Sequence, residues 1–232
     1  MKLKIIIPAV IMCITAFSCG DKNKNSYSSP ETSKESPTFS SFEDIDEVKK
    51  PSDSRTVLEN NFKDVPDVDK GPVLSISNTT AKAGEIAEIT VSVEGADLNW
   101  NNSGIHLTYP DVLKCVYQEN DDKFLKYKVG IASEFNTGVV AMEWKKENNP
   151  PEELVKQNLG TSFFTVMFKG NDGQDGEIIT LYLEIPEDAE SGTVYPLDFY
   201  YRDSDMFINT QNDKSFEKYA FTHTKAGSIT VE

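Results

Sequence analysis

Gly104-Ile105-His106-Leu107-Thr108-Tyr109-Pro110 is the stretch from which the fold can be read. Ile105, Leu107 and Tyr109 alternate with His106 and Thr108. Side chains of a strand alternate between its two faces, so the first set belongs to a core and the second points outward. Similar apolar or alternating runs lie on both sides: VLSIS (73–77), EIAEITVSVEG (85–95), LKCVYQ (113–118), VVAMEWK (139–145), FFTVMF (163–168), EIITLYLEI (177–185), PLDFYY (196–201) and GSITVE (227–232). Turn residues such as Asn78-Thr79-Thr80, Gly95-Ala96-Asp97 and Gly170-Asn171-Asp172-Gly173 separate them. Nine such runs in about 160 residues predict an all-β fold, a nine-stranded jelly-roll β-sandwich over 71–232. One short helix interrupts it at 151–159. Pro151 suits its first position, Glu152 and Glu153 its positive end, and Gly160 its stop.

Period-2 reading assigns faces to the other strands. Val140, Met142 and Trp144 oppose Val139, Ala141 and Glu143, and the reading turns Trp144 inward and Glu143 outward. Phe164, Val166 and Phe168 oppose Phe163, Thr165 and Met167. Both faces of that run are apolar, so it is either covered on two sides or binds something. Leu197, Phe199 and Tyr201 oppose Asp198, Tyr200 and Arg202.

The 232 residues include 38 Asp+Glu against 23 Lys+Arg, a net charge of −15. No basic surplus exists to displace the counterions of nucleic acid or to adhere to an anionic membrane surface. Hydrophobic residues make up 38%, and the shortage is local. Residues 19–70 are rich in Ser, Lys, Glu, Asp and Pro, and read as a disordered polar tether. Within it Phe39, Phe42, Ile45 and Val48 recur every three residues, a spacing a short docking helix would also have.

Residues 1–18 read as a secretory signal. Lys2 and Lys4 precede an apolar run from Ile5 to Phe17 that is too short for a membrane span. The run ends at Ala16-Phe17-Ser18-Cys19, which resembles a bacterial lipoprotein signal with Cys19 as the acylated residue; an ordinary cleaved signal ending near Ser18 is the alternative. Two acyl chains on a diacylglyceryl Cys suffice for stable attachment. Removing residues 1–18 takes away two lysines and no acid, so −15 becomes −17. Of the three cysteines, Cys115 then has no partner and reads as a small buried hydrophobe.

The order of motifs resembles the cohesin family. Val73–Ser77 precedes a strand introduced by Ala83-Gly84-Glu85. Gly104 to Leu113 is similar to the cohesin strand that ends in Tyr-Asp-Pro before Val-Leu, with the order Pro110-Asp111 swapped here. Leu183-Glu184-Ile185-Pro186-Glu187-Asp188-Ala189 resembles the strand that ends in a Pro-x-x-Ala turn. Gly192-Thr193-Val194-Tyr195-Pro196 is similar to the Gly-x-x-Tyr-Pro that opens the next. This segment resembles the cell-surface-anchoring cohesins of cellulosome-type assemblies. Ala226 to Val231 fits the closing Gly-x-Ile-x-Val strand.

The resemblance implies a binding module and no enzyme. Cohesins are jelly-roll sandwiches that bind dockerins, helical modules carried by enzymes or scaffold proteins of polysaccharide-degrading complexes. The calcium belongs to the dockerin, so no cofactor is expected on this chain, and a monomer is the family's default. Carried over by strand position, the partner-binding residues are Asn102, His106, Thr108, Glu143, Phe163, Thr165, Met167, Asp198 and Tyr200. The acidity of the chain implies a partner that is basic where they touch.

Rival chemistries lack motifs. No Gly-x-Ser-x-Gly elbow exists to serve His106 or His223. Asn171 to Glu177 has closely spaced oxygen ligands but lacks the EF-hand pattern, and reads as a polar turn. A carbohydrate-binding or adhesin-like module shares the architecture and stands as the alternative. Such a sugar site needs a planar row of rings, and only Trp100 and Trp144 could begin one.

Overall fold

A computed structural model describes residues 52–144 and 150–232. The signal at 1–18, Cys19 and the Phe39–Val48 repeat lie outside the described residues. In chain order the elements are α1 (Ser52–Phe62), β1 (Val73–Ile76), β2 (Asn78–Ala81), β3 (Ile86–Glu94), β4 (Asn102–Pro110), β5 (Lys114–Cys115) and β6 (Tyr127–Val129). A 3-10 turn at Ile131–Ser133 leads to β7 (Gly138–Glu143), α2 (Glu152–Lys156), β8 (Leu159–Met167), β9 (Gly176–Glu184) and β10 (Val194–Phe199). The chain closes with β11 (Met206–Ile208), α3 (Lys214–Thr222), β12 (Thr224–Lys225) and β13 (Gly227–Val231).

Each of the nine apolar runs contains a strand. Four short strands were not expected: β2, β6, β11 and β12. One sheet has the order β12-β1-β3-β9-β5, with β6 also on β9. The other runs β2-β13-β10-β4-β8-β7, with β11 beside β4. Inward side chains of both sheets form one core. Ala87, Ile89, Val91 and Val93 of β3 meet Ile105, Leu107 and Tyr109 of β4 and Phe164 and Val166 of β8 there. Fully burying a side chain of this size contributes roughly 1.5–3 kcal/mol, and among the described residues the one cysteine, Cys115, is free, so these strands hold the fold by packing.

Trp100 anchors one end. It is fully buried, stacked on Phe207 at 5.1 Å and edge-on to Phe168 at 4.8 Å. Its Nε1 donates to the Gln174 carbonyl at 3.1 Å. Gly173 lies against the indole so closely that an added Cβ would sit 2.2 Å from the ring.

Two helices depart from the sequence reading, and a third is trimmed. The inserted helix spans Glu152–Lys156, within the 151–159 expected. α3 was missed. Asp213 caps it by accepting from the Ser215 and Phe216 amides, and Phe216, Ala220 and Phe221 are buried beneath it. α1 lies inside the stretch read as a disordered tether, so that reading is corrected at 52–62. Few of its side chains are apolar, but tertiary contacts hold it. The Tyr201 amide donates to Ser54 Oγ at 2.8 Å, and the Phe62 ring packs 5.8 Å from Tyr201.

Cys115 is buried at the inner end of β5, with its sulfur 2.8 Å from the Tyr109 hydroxyl. Burial, then the nearby Glu143 charge, pushes the thiol from 9.0 up to about 12. The folded thiol therefore stays neutral where the unfolded one ionises. Its contribution to stability is complete below pH 9.0 and falls as pH rises from there toward about 12. Cys115 should resist a disulfide reagent at pH 8 in the native state and react at once in denaturant. Comparable rates in both states would contradict the buried placement.

Candidate partner-binding face

The outer face of β10-β4-β8-β7 carries the expected residues, and strand register decides where each one goes. β4 and β8 pair over nine positions, setting Asn102 opposite Met167, Gly104 opposite Thr165, and His106 opposite Phe163. β7 pairs with β8 so that Met142 lies opposite Phe163 and Ala141 opposite Phe164. Phe164 is fully buried, so Ala141 faces the core. Its strand neighbours Met142 and Trp144 therefore face outward.

That reverses the reading of β7. Glu143 lies on the inner side, where its carboxylate accepts a hydrogen bond from the Tyr117 hydroxyl. Trp144 belongs to the outer side, with the guanidinium carbon of Arg202 3.8 Å from its ring centre. The run is apolar on both faces, so alternation alone could not choose. A one-residue slip flips every side chain.

Three of the expected outward residues are covered. His106 is only 8% exposed. Its Nδ1 lies 2.6 Å from Asp205 Oδ1, and its ring centre is 4.7 Å from Phe163 and 5.9 Å from Trp144. Thr108 is buried and donates to the Gly160 carbonyl at 3.0 Å. Tyr200 is buried with its hydroxyl on Glu153 of α2 at 2.5 Å. Thr108 is bonded within the sheet to β8, whereas His106 and Tyr200 are met by the loop at 200–205 and by α2. Neither was visible to strand-by-strand reading.

The remaining residues stay accessible. Met167 is 41% exposed, and Phe163, Thr165, Asp198 and Asn102 are half-buried. Phe163, Thr165 and Met167 lie along one side of β8, as alternation requires. Asp198 accepts from the Phe199 amide at 2.7 Å. The Asn102 Oδ1 is buried without a hydrogen-bond partner.

Phe163 also borders a cleft of about 360 Å³. Phe163, Met142 and Glu143 of the strands line it, with Trp144, Arg202 and Ser204 on the loop side and His106 beneath. Sequence reasoning selected Phe163, His106 and Glu143 from this set and missed Met142, Trp144, Arg202 and Ser204. Arg202 was legible as outward, but nothing local showed that its loop returns to Trp144.

The Asp205 carboxylate fastens that loop. One oxygen meets His106 and the other accepts from the Arg202 amide at 3.2 Å. The Tyr200 amide donates to the His106 carbonyl at 3.0 Å. Burial pushes the Asp205 carboxyl above its usual range, and the His106 hydrogen bond opposes that rise.

Other candidate chemistry dissolves into structure. In the turn after β8, Asp175 accepts from the Gly95 and Ala96 amides at 2.9 and 2.7 Å, and Asn171 accepts from Thr210 at 2.9 Å. These oxygens tie loops together. Among the described residues no group of three or more His, Cys, Asp or Glu side chains could hold a metal ion.

No family model and no curated protein matches the sequence. Solved structures do. A type III cohesin module from the cellulosomal ScaE cell-surface anchoring scaffoldin of Ruminococcus flavefaciens superposes with a TM-score of 0.57 and 23% identity, over 71% of this chain and 89% of that one. The fold is that of a cohesin module. The third cohesin of ScaC from Acetivibrio cellulolyticus, solved with the ScaB dockerin, gives a TM-score of 0.50 at 14% identity, over 69% of this chain and 98% of that one. A cohesin–dockerin complex, Coh-OlpC-Doc435 from Clostridium thermocellum, gives 0.50 at 14%, over 73% and 98%. The cohesin fold accounts for the two-sheet sandwich.

Removing the Asp205 carboxylate should release the 200–205 loop from the face. Asp205→Ala is expected to lower stability by about 1–3 kcal/mol, because it leaves a buried imidazole and the Arg202 amide without an acceptor. Asp203→Ala, on the exposed side of the same loop, should stay within about 0.5 kcal/mol of wild type. Urea unfolding of both variants measures this, and equal midpoints would contradict the fastening role.

Proposed function

We propose that the chain is a receptor that binds a dockerin-bearing protein through the outer face of β10-β4-β8-β7. One observation carries the reading. On a cohesin fold, this face presents Met142, Phe163 and Met167 beside a cleft roofed by Arg202 and Trp144. A stable interface needs a few desolvated apolar anchors ringed by polar groups, and this strip has that composition. Half-buried Thr165, Asp198 and Asn102 supply rim hydrogen bonds. His106 contributes from below by packing on Phe163, buried Thr108 ties β4 to β8 at Gly160, and buried Tyr200 holds α2. The partner brings its own calcium and, against a strongly acidic chain, a basic contact helix. The receptor acts as a monomer, a nine-strand jelly roll elaborated by short strands.

The anchor completes this function. Acylation of Cys19 would hold the protein on the outside of a bacterial cell, with residues 20–51 between lipid and domain. The receptor would thereby attach a polysaccharide-degrading enzyme or scaffold to the surface. Palmitate labelling of wild type and not of Cys19→Ala is the expected result; equal labelling would remove the anchor from the proposal.

A sugar-binding reading finds less support. Trp100 is sealed in the core, and the face of Trp144 carries Arg202. No coplanar pair of tryptophans is left for stacking.

Calorimetry of the mature chain, with Cys19→Ala for solubility, against calcium-loaded dockerins from the same genome tests the function. Binding to at least one, abolished by EDTA, is expected. Phe163→Asp with Met167→Asp should weaken it by about 2 kcal/mol or more, roughly thirtyfold. Absence of binding to every dockerin would end the proposal. Unchanged affinity with intact circular dichroism would move the site to another face.

A further inference from the structure

Away from that face, α1 spans an open space. The helix is fastened at both ends. Near its start, Ser54 Oγ accepts from the Tyr201 amide at 2.8 Å. Near its end, Asn61 donates to the Tyr201 hydroxyl at 3.1 Å, and just beyond it Lys218 Nζ donates to the Val65 carbonyl at 2.8 Å. Between these fastenings lies a cavity of about 600 Å³, bounded by α1, the end of β10, α3 and β12. This volume falls within the roughly 300–1,000 Å³ typical of small-molecule sites.

The lining is divided by chemistry. Phe62, Phe199, Tyr201 and Phe221 form an aromatic floor. Phe221 packs edge-on to Tyr201 at 4.7 Å and Phe62 lies 5.8 Å from the same ring, so the floor is a fixed aromatic cluster that offers its outer edges to the cavity. Arg55, Lys63 and Lys218 stand at the rim with a single acid, Glu59. Glu59 accepts from Arg55 Nε at 2.8 Å. Lys218 has three ammonium hydrogens and gives one to Val65. In a chain of net charge −15, the mouth of this cavity carries a local surplus of cations.

We propose that the cavity binds a small aromatic acid, with its ring on the aromatic floor and its anionic group held by Arg55, Lys63 and Lys218. None of the residues lining this cavity lines the cleft of the partner-binding face. The aromatic floor selects the body of the ligand, and the cationic rim selects its charge. An anion paired with a guanidinium forms stronger hydrogen bonds than a neutral group does.

Fluorescence titration of the full mature chain tests this with two probes. Anilinonaphthalene sulfonate has fused rings and one anionic group; phenylnaphthylamine has the rings alone. The expected result is saturable one-to-one binding of the sulfonate, tighter than the neutral probe. Arg55→Glu with Lys63→Glu should weaken the sulfonate by about tenfold and leave the neutral probe unchanged. Thr222→Trp, at an exposed position on the lining, should remove both by filling the space. Should that variant fail to fold, Leu58→Trp fills the same cavity from α1. Equal affinity of the two probes for wild type would overturn the proposal. So would sulfonate binding that ignores the charge reversal or survives the filling substitution.

Discussion

The nine-residue register between Asn102–Pro110 and Leu159–Met167 is the constraint on which the rest of the domain depends. It places Ile105 and Phe164 together in the core and sets His106 beside Phe163 on the opposite face. β10 and β11 attach to the other edge of β4, and β7 to the other edge of β8. A slip of one residue would bring Phe163 and Met167 inward and expel Phe164 and Val166. Burial of that inner set opposes the slip. The same burial determines which side chains are left to meet a partner.

Above this register the outer face is built in layers. The His106–Asp205 pair is desolvated, and its hydrogen bonds must offset that cost for the arrangement to persist. What it secures is position. It fastens the loop at 200–205 against the sheet and so brings Arg202 over Trp144. α2 closes the neighbouring region through Tyr200 and Glu153. A flat strand face thereby becomes a bounded cleft, which gives a partner a shape to fit as well as an apolar surface.

Much of this order is legible in the sequence because apolar alternation is a local signal. β4, β8 and β10 each bury the set that alternation chooses for the core. β7 is different. Val139 to Trp144 can bury either face, and the choice rests on Ala141 meeting Phe164 from a distant part of the chain. Likewise, nothing in the Gly104–Pro110 run announces that His106 and Thr108 will be buried, since their partners, Asp205 and the Gly160 carbonyl of β8, lie about a hundred and about fifty residues away. α3 did carry a signal. Asp213 is a good cap, and Phe216 and Ala220 have helical spacing. α1 carried little, because a polar helix held at Tyr201 owes its place to tertiary contact.

The resemblance in the sequence and the likeness of the fold point to the same kind of module, and the outer face of β10-β4-β8-β7 is where they make a claim about contact. Amide hydrogen exchange of the mature chain, with and without a calcium-loaded dockerin that binds it, tests that claim most directly. The account predicts added protection in Gly138–Glu143, Leu159–Met167 and the loop at 200–205. Protection confined to the opposite sheet, in Ile86–Glu94 and Gly176–Glu184, would contradict it.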